Sequence, residues 1–289
     1  MTDRLMLCAL LALGLVLGGS VEPATGGTTN SFDAAAASME TLVFHVQRFG
    51  STPAKKQARK AAKQELVARG ANALESLMRY AHIDNGGIQQ QIFELAWTHL
   101  PEEQAVPVLM CFADEQDLKT RKMAIFLLGK FTAPAGAETL LPSLDVDKTA
   151  GATMRTLGKW GYEPARQMIE RRLEDENERR RILAVTALRD IGNPESLPLL
   201  IGVLSDPIFT VRKAAQRAIV AFGASAERPV LDALPTAGRV SKRELLGILG
   251  EIGGRRGRRA LRAELKSDDN AIRRDAARGL ERMERRWLK

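Results

Sequence analysis

The sequence contains few of the residues that usually carry out chemistry. Its 289 residues include two cysteines, two tyrosines and three histidines, and aromatic residues make up 5% of the chain. The histidines are far apart and none lies at a metal-ligand spacing, so we predict no metal site. No glycine-rich phosphate loop, serine elbow or carboxylate pair indicates a catalytic centre. We therefore expect a protein without enzymatic activity and without a cofactor.

Long apolar runs are also missing, apart from one near the N-terminus. Residues 5–17 are too few to span a membrane comfortably and have the length of a signal-peptide core. Small residues, Gly18 to Ser20, suit cleavage before Val21. We expect residues 1–20 to be a signal peptide and the protein to be exported, either periplasmic or secreted. An uncleaved leader that anchors the chain is the alternative.

Cleavage of this leader would leave Cys111 as the one remaining cysteine. A single cysteine cannot form an internal disulfide. Cys111 lies in the apolar run Val-Leu-Met-Cys-Phe. We interpret it as a small buried hydrophobic residue rather than a reactive nucleophile.

The dominant pattern is a repeat of about 31 residues. Several residues recur at this distance, as the pairs Asp175/Asp206, Arg181/Arg212, Gly192/Gly223 and Pro198/Pro229. The arginine series extends further, to Arg243 and Arg274. A fixed period of this size is typical of stacked supersecondary units.

Within one unit the apolar residues follow a helical period. One helix face carries Ile208, Val211, Ala215, Ala218, Ile219 and Phe222. Asp206 and Pro207 predict the start of this helix, as N-cap and first helical residue, and Gly223 predicts its left-handed end. A second helix follows, with Val230 and Leu234 inward. Nothing in the repeats alternates with a period of two, so no strand is predicted.

Two short helices cannot bury both of their apolar faces alone, so each pair needs neighbours. We predict an all-α fold, a right-handed α-solenoid of stacked antiparallel helix pairs with about seven and a half repeats. The expected organisation is a signal peptide at 1–20, a flexible tether at 21–32 and an N-terminal capping helix at 33–49, begun by Asp33. The repeat solenoid follows at 50–289 and ends in a C-terminal capping helix.

Segments 175–204 and 206–234 resemble HEAT repeats of the short bacterial, bilin-lyase type. The shared pattern is Asp, Val/Ile-Arg, Ala-Ala, Ile-Gly and a leucine-rich second helix, and it covers roughly residues 50–289. Three places depart from it: Ala237 in place of Asp, Ala150 in place of Arg, and Gly86 with Gly87 in an early loop. The resemblance implies that the second helices line a concave face. It specifies fold more than function, because this repeat serves many purposes.

The aspartate and arginine series have two interpretations. They could form a charged strip that binds a partner. They could also tie each unit to the next through capping and charge-assisted hydrogen bonds. We favour the structural role.

The net charge of +8 is concentrated at the C-terminal end. Residues 239–289 contain 16 Lys and Arg against 8 Asp and Glu; since the whole chain has 43 and 35, the rest holds 27 of each. The densest cluster begins the second helix of the seventh unit, beside three glycines: Arg255, Arg256, Arg258, Arg259 and Arg262, with Gly253, Gly254 and Gly257. Such a helix start predicts a phosphate, sulfate or carboxylate site. A solvated end cap whose charges pair locally is equally open.

Together these features predict a non-catalytic exported scaffold that binds a macromolecule, most simply another protein, on its concave face. The predicted binding residues lie on second helices and are Arg166, Arg171, Arg228, Asp232, Arg255, Arg258, Arg259 and Arg262. The alternative is a polyanion binder for nucleic acid, anionic lipid or an acidic polymer. The architecture also occurs in bilin lyases and alkylpurine DNA glycosylases, but no motif beyond the repeat supports either activity.

Overall fold

A computed structural model describes residues 32–47 and 52–287. These residues form helices and connecting turns, without any strand in the described ranges. The predicted signal peptide at 1–20 and nearly all of the predicted tether lie outside them. None of the helices in the described ranges is both long enough and apolar enough to cross a membrane.

The helices alternate along the chain as first and second members of each pair. The earlier ones are α1 (Met39–Gln47), α2 (Pro53–Ala68), α3 (Gly70–Met78), α4 (Gly86–Glu94), α5 (Glu102–Phe112) and α6 (Leu118–Leu128). A π-helical turn at Leu95–His99 continues α4, and the 3-10 helix Ala137–Leu144 is the partner of α6. The later ones are α7 (Asp147–Lys159), α8 (Arg166–Arg171), α9 (Glu178–Ile191), α10 (Leu197–Gly202), α11 (Phe209–Ala221), α12 (Glu227–Ala233), α13 (Arg239–Ile252), α14 (Arg255–Glu264) and α15 (Asn270–Trp287).

Equivalent helices of successive units pack side by side. The series α7, α9, α11, α13 and α15 is in contact at every step, and one apolar cluster runs from Leu42 in α1 to Met283 in α15. Glycines permit the closest approaches: a Cβ on Gly158 would lie 2.7 Å from Ala187 Cα, and one on Gly250 would lie 2.7 Å from Gly279 Cα. The predicted α-solenoid of stacked helix pairs is confirmed.

Hydrogen bonds one period apart also join neighbouring units. The buried hydroxyl of Thr156 donates to the carbonyl oxygen of Ile125, 31 residues earlier, at 2.8 Å. Trp160 Nε1 donates to the carbonyl oxygen of Phe131 at 2.8 Å. The first bond reaches a carbonyl in the last turn of α6, where a helix leaves its carbonyl groups without partners, and the second reaches the segment that follows α6.

The N-terminal capping helix is shorter than predicted. Asp33 does not begin it, because its carboxylate accepts the next N–H groups in an exposed turn. Ser38 Oγ accepts from Thr41 N at 3.2 Å, and α1 starts at Met39. The start of the predicted range 33–49 is therefore wrong. At the other end, α15 buries Ile272, Ala276 and Met283 along one face.

The start of a repeat unit also differs from the prediction. Helix α11 begins at Phe209, with Ile208 in the extended N-cap conformation. Asp206 and Pro207 precede the helix, and Asp206 Oδ1 accepts from Ile208 N at 2.8 Å within that turn. Gly223 has φ +59° and ends the unit's first helix as predicted.

The arginine series is structural, but its register shifts after Gly223. The fourth positions of α6, α7, α9, α11, α13 and α15 are Arg121, Ala150, Arg181, Arg212, Lys242 and Arg273. Arginines at this position donate to the carbonyl six residues earlier. Arg243 and Arg274, the predicted members of the series, each lie one residue past the equivalent position, so the prediction is wrong for these two. Arg181 also binds both oxygens of Asp206 in the next unit, at 2.7 and 3.0 Å, which confirms the structural interpretation.

Asp269 joins the last two first helices. Arg239 Nε donates to its Oδ2 at 2.5 Å, and the N–H of Ala271 donates to its Oδ1 at 2.7 Å. The bond from Arg239, helped by that N–H, lowers the pKa of Asp269 from 3.8 to about 2.

The depressed pKa predicts acid sensitivity at this joint. A carboxylate with a lowered folded-state pKa stabilises the fold above its unfolded pKa, and the stability is lost as pH falls through the folded value. We expect Asp269→Asn to lose less unfolding free energy than the wild type between pH 3.8 and about 2. Urea titrations at several pH values measure this. Asp268→Asn at the neighbouring exposed carboxylate is the control; an identical pH profile for Asp269→Asn and the wild type would contradict the prediction.

Candidate functional site

Four of the predicted binding residues lie together on α14. We call Arg255, Arg258, Arg259 and Arg262 the arginine face; their spacing places them on one side of the helix. They line an open cavity of about 630 Å³. Gly257 and Leu261 are buried on the other side of the helix, which fixes the direction in which the arginine face points.

The arginine face has little internal neutralisation. Arg258 is partly buried, and its NH2 lies 3.5 Å from a carboxylate oxygen of Glu284 in α15. Arg255, Arg259 and Arg262 are exposed and make no side-chain hydrogen bond or ion pair to other residues of the described ranges. Like charges this close on one helix face repel, so an external anion that neutralises them is favoured.

Glu227 occupies the N-terminus of α14, where the sequence predicted an external anion. Its Oε1 accepts from Gly254 N at 2.7 Å and from Gly257 N at 2.9 Å. A carboxylate here satisfies N–H groups that have no partner within the helix and interacts favourably with the helix dipole. The prediction that these N–H groups bind an external anion is therefore wrong. Anion recognition on α14 rests on the guanidinium groups alone.

Helix α12 carries two further predicted residues, Arg228 and Asp232. Both are strongly exposed, at 85% and 72% of their side chains, and their charged atoms lie 3.7 Å apart. An exposed pair of this kind contributes little to stability, about 0.5 kcal/mol or less. Both groups are accessible to a partner.

Helix α8 offers fewer accessible charges to a partner than the sequence predicted. Arg166 is only 13% exposed and is bound by three carboxylates at 2.6 to 2.9 Å, those of Glu163, Glu170 and Glu195. The hydrogen bonds that Arg166 donates, first of all the one to Glu163, raise the pKa of Arg166 above its usual value. Arg171 is exposed. Between α8 and α12, helix α10 has the sequence LPLLIG without a charged residue, so no continuous basic strip connects them.

Cys111 is exposed, and the prediction that it is buried is wrong. Its neighbour Phe112 is buried on the other side of α5, so the apolar run did not show which face was covered. Within the described ranges, no group of three His, Cys, Asp or Glu side chains is arranged to hold a metal ion.

A second concavity lies on first helices and was not predicted. We call it the first-helix cleft; it has a volume of about 430 Å³ and is bounded by α11, α13 and α15. Phe209 and Val240, both strongly exposed, stand at its edge. The sequence signal for this cleft was Ala237, which stands where the repeat pattern has an aspartate. The aspartate would have paired with Arg212, a residue that lines the cleft, as Asp206 pairs with Arg181.

Comparison with known proteins identifies the repeat. A family model described as HEAT repeats matches residues 147–220 and 165–239. No curated protein sequence matches the chain.

Solved structures with similar folds have low sequence identity. Kap121p has 14% identity and a TM-score of 0.50 over 85% of this chain and 33% of its own, so this chain spans about a third of its length. An engineered protein has 17% identity and a TM-score of 0.46 over 85% and 78%. The complex of CpcE and CpcF of phycocyanin lyase from Nostoc sp. PCC7120 has 19% identity and a TM-score of 0.38 over 92% and 98%. The similarity to Kap121p concerns the fold alone.

Proposed function

Because this chain is a HEAT-repeat protein, we propose that it is a non-catalytic, exported scaffold that binds another protein along its second helices. The arginine face of α14 contacts acidic groups of that protein. The observation that carries the proposal is the group of three exposed guanidinium groups, on Arg255, Arg259 and Arg262, which have no side-chain partner among the residues that the structure describes. Arg228 and Asp232 of α12 extend the contact surface.

Exposed apolar residues on the same helical layer favour a protein over a polyanion. Leu199 in α10 is 49% exposed, and Leu265, which directly follows α14, is also exposed. Protein interfaces combine apolar contacts with arginine, whereas a polyanion is held mainly through its charges. A partner with apolar and acidic side chains fits both features.

Charge reversal on the arginine face tests the proposal. We expect Arg255→Glu, Arg259→Glu and Arg262→Glu together to weaken the partner captured by the wild-type chain about 30-fold or more, since several charge-assisted contacts become repulsive. The matched control reverses three exposed charges on α2, Lys55→Glu, Lys56→Glu and Lys60→Glu, and should keep full affinity. Biolayer interferometry gives the affinities, and calorimetry verifies that both variants fold. Equal weakening by the two variants would reject the arginine face.

The salt dependence of the affinity distinguishes a polyanion from a protein partner. A complex with six to ten phosphate contacts loses about 10³- to 10⁵-fold in affinity between 50 and 200 mM salt. A protein partner with an apolar centre should lose far less. If affinity falls as steeply as for phosphate contacts, and the captured sample contains nuclease-sensitive or polymeric material, then the partner is a polyanion and not a protein.

Export forms part of the same proposal and rests on the apolar run at residues 5–17. N-terminal sequencing of chain isolated from its own cells should begin at Val21. A sample that begins at Met1 would refute cleavage.

A further inference from the structure

Arg212 in α11 lacks the carboxylate that its counterpart has. In the preceding unit Arg181 binds both oxygens of Asp206, which lies 25 residues later. The residue 25 positions after Arg212 is Ala237, whose methyl group packs against the core. Arg212 NH1 still donates to the carbonyl oxygens of Asp206 and Pro207, at 2.7 and 3.1 Å. Its Nε is buried and has no hydrogen-bond partner in the described ranges.

This arginine lines the first-helix cleft, next to exposed apolar side chains. Phe209 is 58% exposed and Val240 is 52% exposed. The guanidinium carbon of Arg212 lies 5.6 Å from the centroid of the Phe209 ring, and Lys213 Nζ lies 5.4 Å from it. An exposed aromatic ring at the edge of a cleft, with cations beside it, can still pack against a second apolar group.

The acidic groups of the cleft are already bound to other cations. Glu244 accepts from Lys213 at 3.0 Å. Asp275 accepts from Arg243 at 2.6 Å and also lies 3.6 Å from Arg278. Although two carboxylates line the cleft, neither pairs with Arg212, and no other carboxylate of the described residues does so.

We infer that the first-helix cleft binds a peptide segment of a partner protein, which supplies an aspartate or glutamate to Arg212 and an apolar side chain to Phe209 and Val240. The carboxylate takes the role that Asp206 performs for Arg181. The volume of about 430 Å³ accommodates a few side chains. The apolar edge favours a peptide over a polyanion, which has no group to place there. This site lies on first helices and does not depend on the arginine face.

Random octapeptides displayed on phage and selected on the full chain provide the probe. We expect enriched peptides to carry an acidic residue within two positions of a large apolar residue. The best peptide, labelled with a fluorophore, should lose about tenfold or more in affinity when its acidic residue becomes the amide. Ala237→Asp gives Arg212 a carboxylate partner from the protein itself, so the affinity for the labelled peptide should fall by a similar factor.

Two surface variants make the test specific. Phe209→Ser removes the exposed ring and should weaken the labelled peptide, whereas Phe44→Ser removes an exposed ring on α1, outside both proposed surfaces, and should not. Failure to enrich this pattern, or equal binding by wild type and Ala237→Asp, would overturn the inference. Displacement of the peptide by polyphosphate, together with unchanged binding by Phe209→Ser, would overturn it in favour of a charge-only surface.

Discussion

Gly250→Ala should lower the unfolding free energy by about 2 kcal/mol and the Tm by about 4–8 °C. The new Cβ would lie 2.7 Å from Gly279 Cα and 3.0 Å from its carbonyl oxygen, so α13 and α15 must move apart. Backbone atoms cannot rotate away as a side chain can. Because glycine is a poor helix former, the same substitution in open space would stabilise the helix by about 1 kcal/mol.

Gly202→Ala is the control for this effect. Gly202 is also helical, and a Cβ there would meet nothing within 4 Å. Differential scanning calorimetry of both variants should show opposite signs, with Gly202→Ala neutral or stabilising. Two stabilised variants would show that α13 and α15 are not in close contact.

Asp206→Ala should destabilise the protein by about 3 kcal/mol, because it leaves Arg181 charged and largely buried without its carboxylate. The two side chains are only 7% and 11% exposed and form two hydrogen bonds. Arginine keeps its proton throughout the pH range in which proteins fold, so Arg181 cannot avoid the cost by becoming neutral. Asp206→Asn keeps an acceptor for the N–H of Ile208 and should cost less.

Asp232→Ala provides the matched control, since it breaks an exposed pair with Arg228. Its expected cost is below about 0.5 kcal/mol. Chemical denaturation gives the unfolding free energies, and hydrogen exchange should show faster opening of α9 and α11 in Asp206→Ala. Equal stability of Asp206→Ala and Asp232→Ala would mean that the buried pair does not tie the units together.

The repeat period predicted the stack because each contact surface is copied along the chain. A residue buried in one unit, such as Ala184, has a buried counterpart in the next, Ala215. Such periodic information defines which helix faces meet. It does not define the loops, and the unit after Gly223 is one residue shorter. Lys242 therefore occupies the position that the spacing gave to Arg243.

The candidate site was predicted only in part, for a related reason. Spacing alone places Arg255, Arg258, Arg259 and Arg262 on one face, since a single helix determines it. The occupancy of the α14 N-terminus by Glu227 depends on how two units are joined. The exposure of Cys111 depends on which side of α5 remains uncovered. Neither is a property of one helix, so the pattern within a helix could not show it.

Glu227 also bears on the proposed binding of a partner by the arginine face. Its carboxylate accepts two hydrogen bonds from backbone N–H groups at the start of α14 and so fixes α14 to α12; α14 cannot rotate about its axis without breaking them. The backbone beneath the four arginines is thereby preorganised before any encounter. In the proposed complex α14 would then have to order its side chains but not its backbone, and the entropy lost on complex formation would be correspondingly smaller.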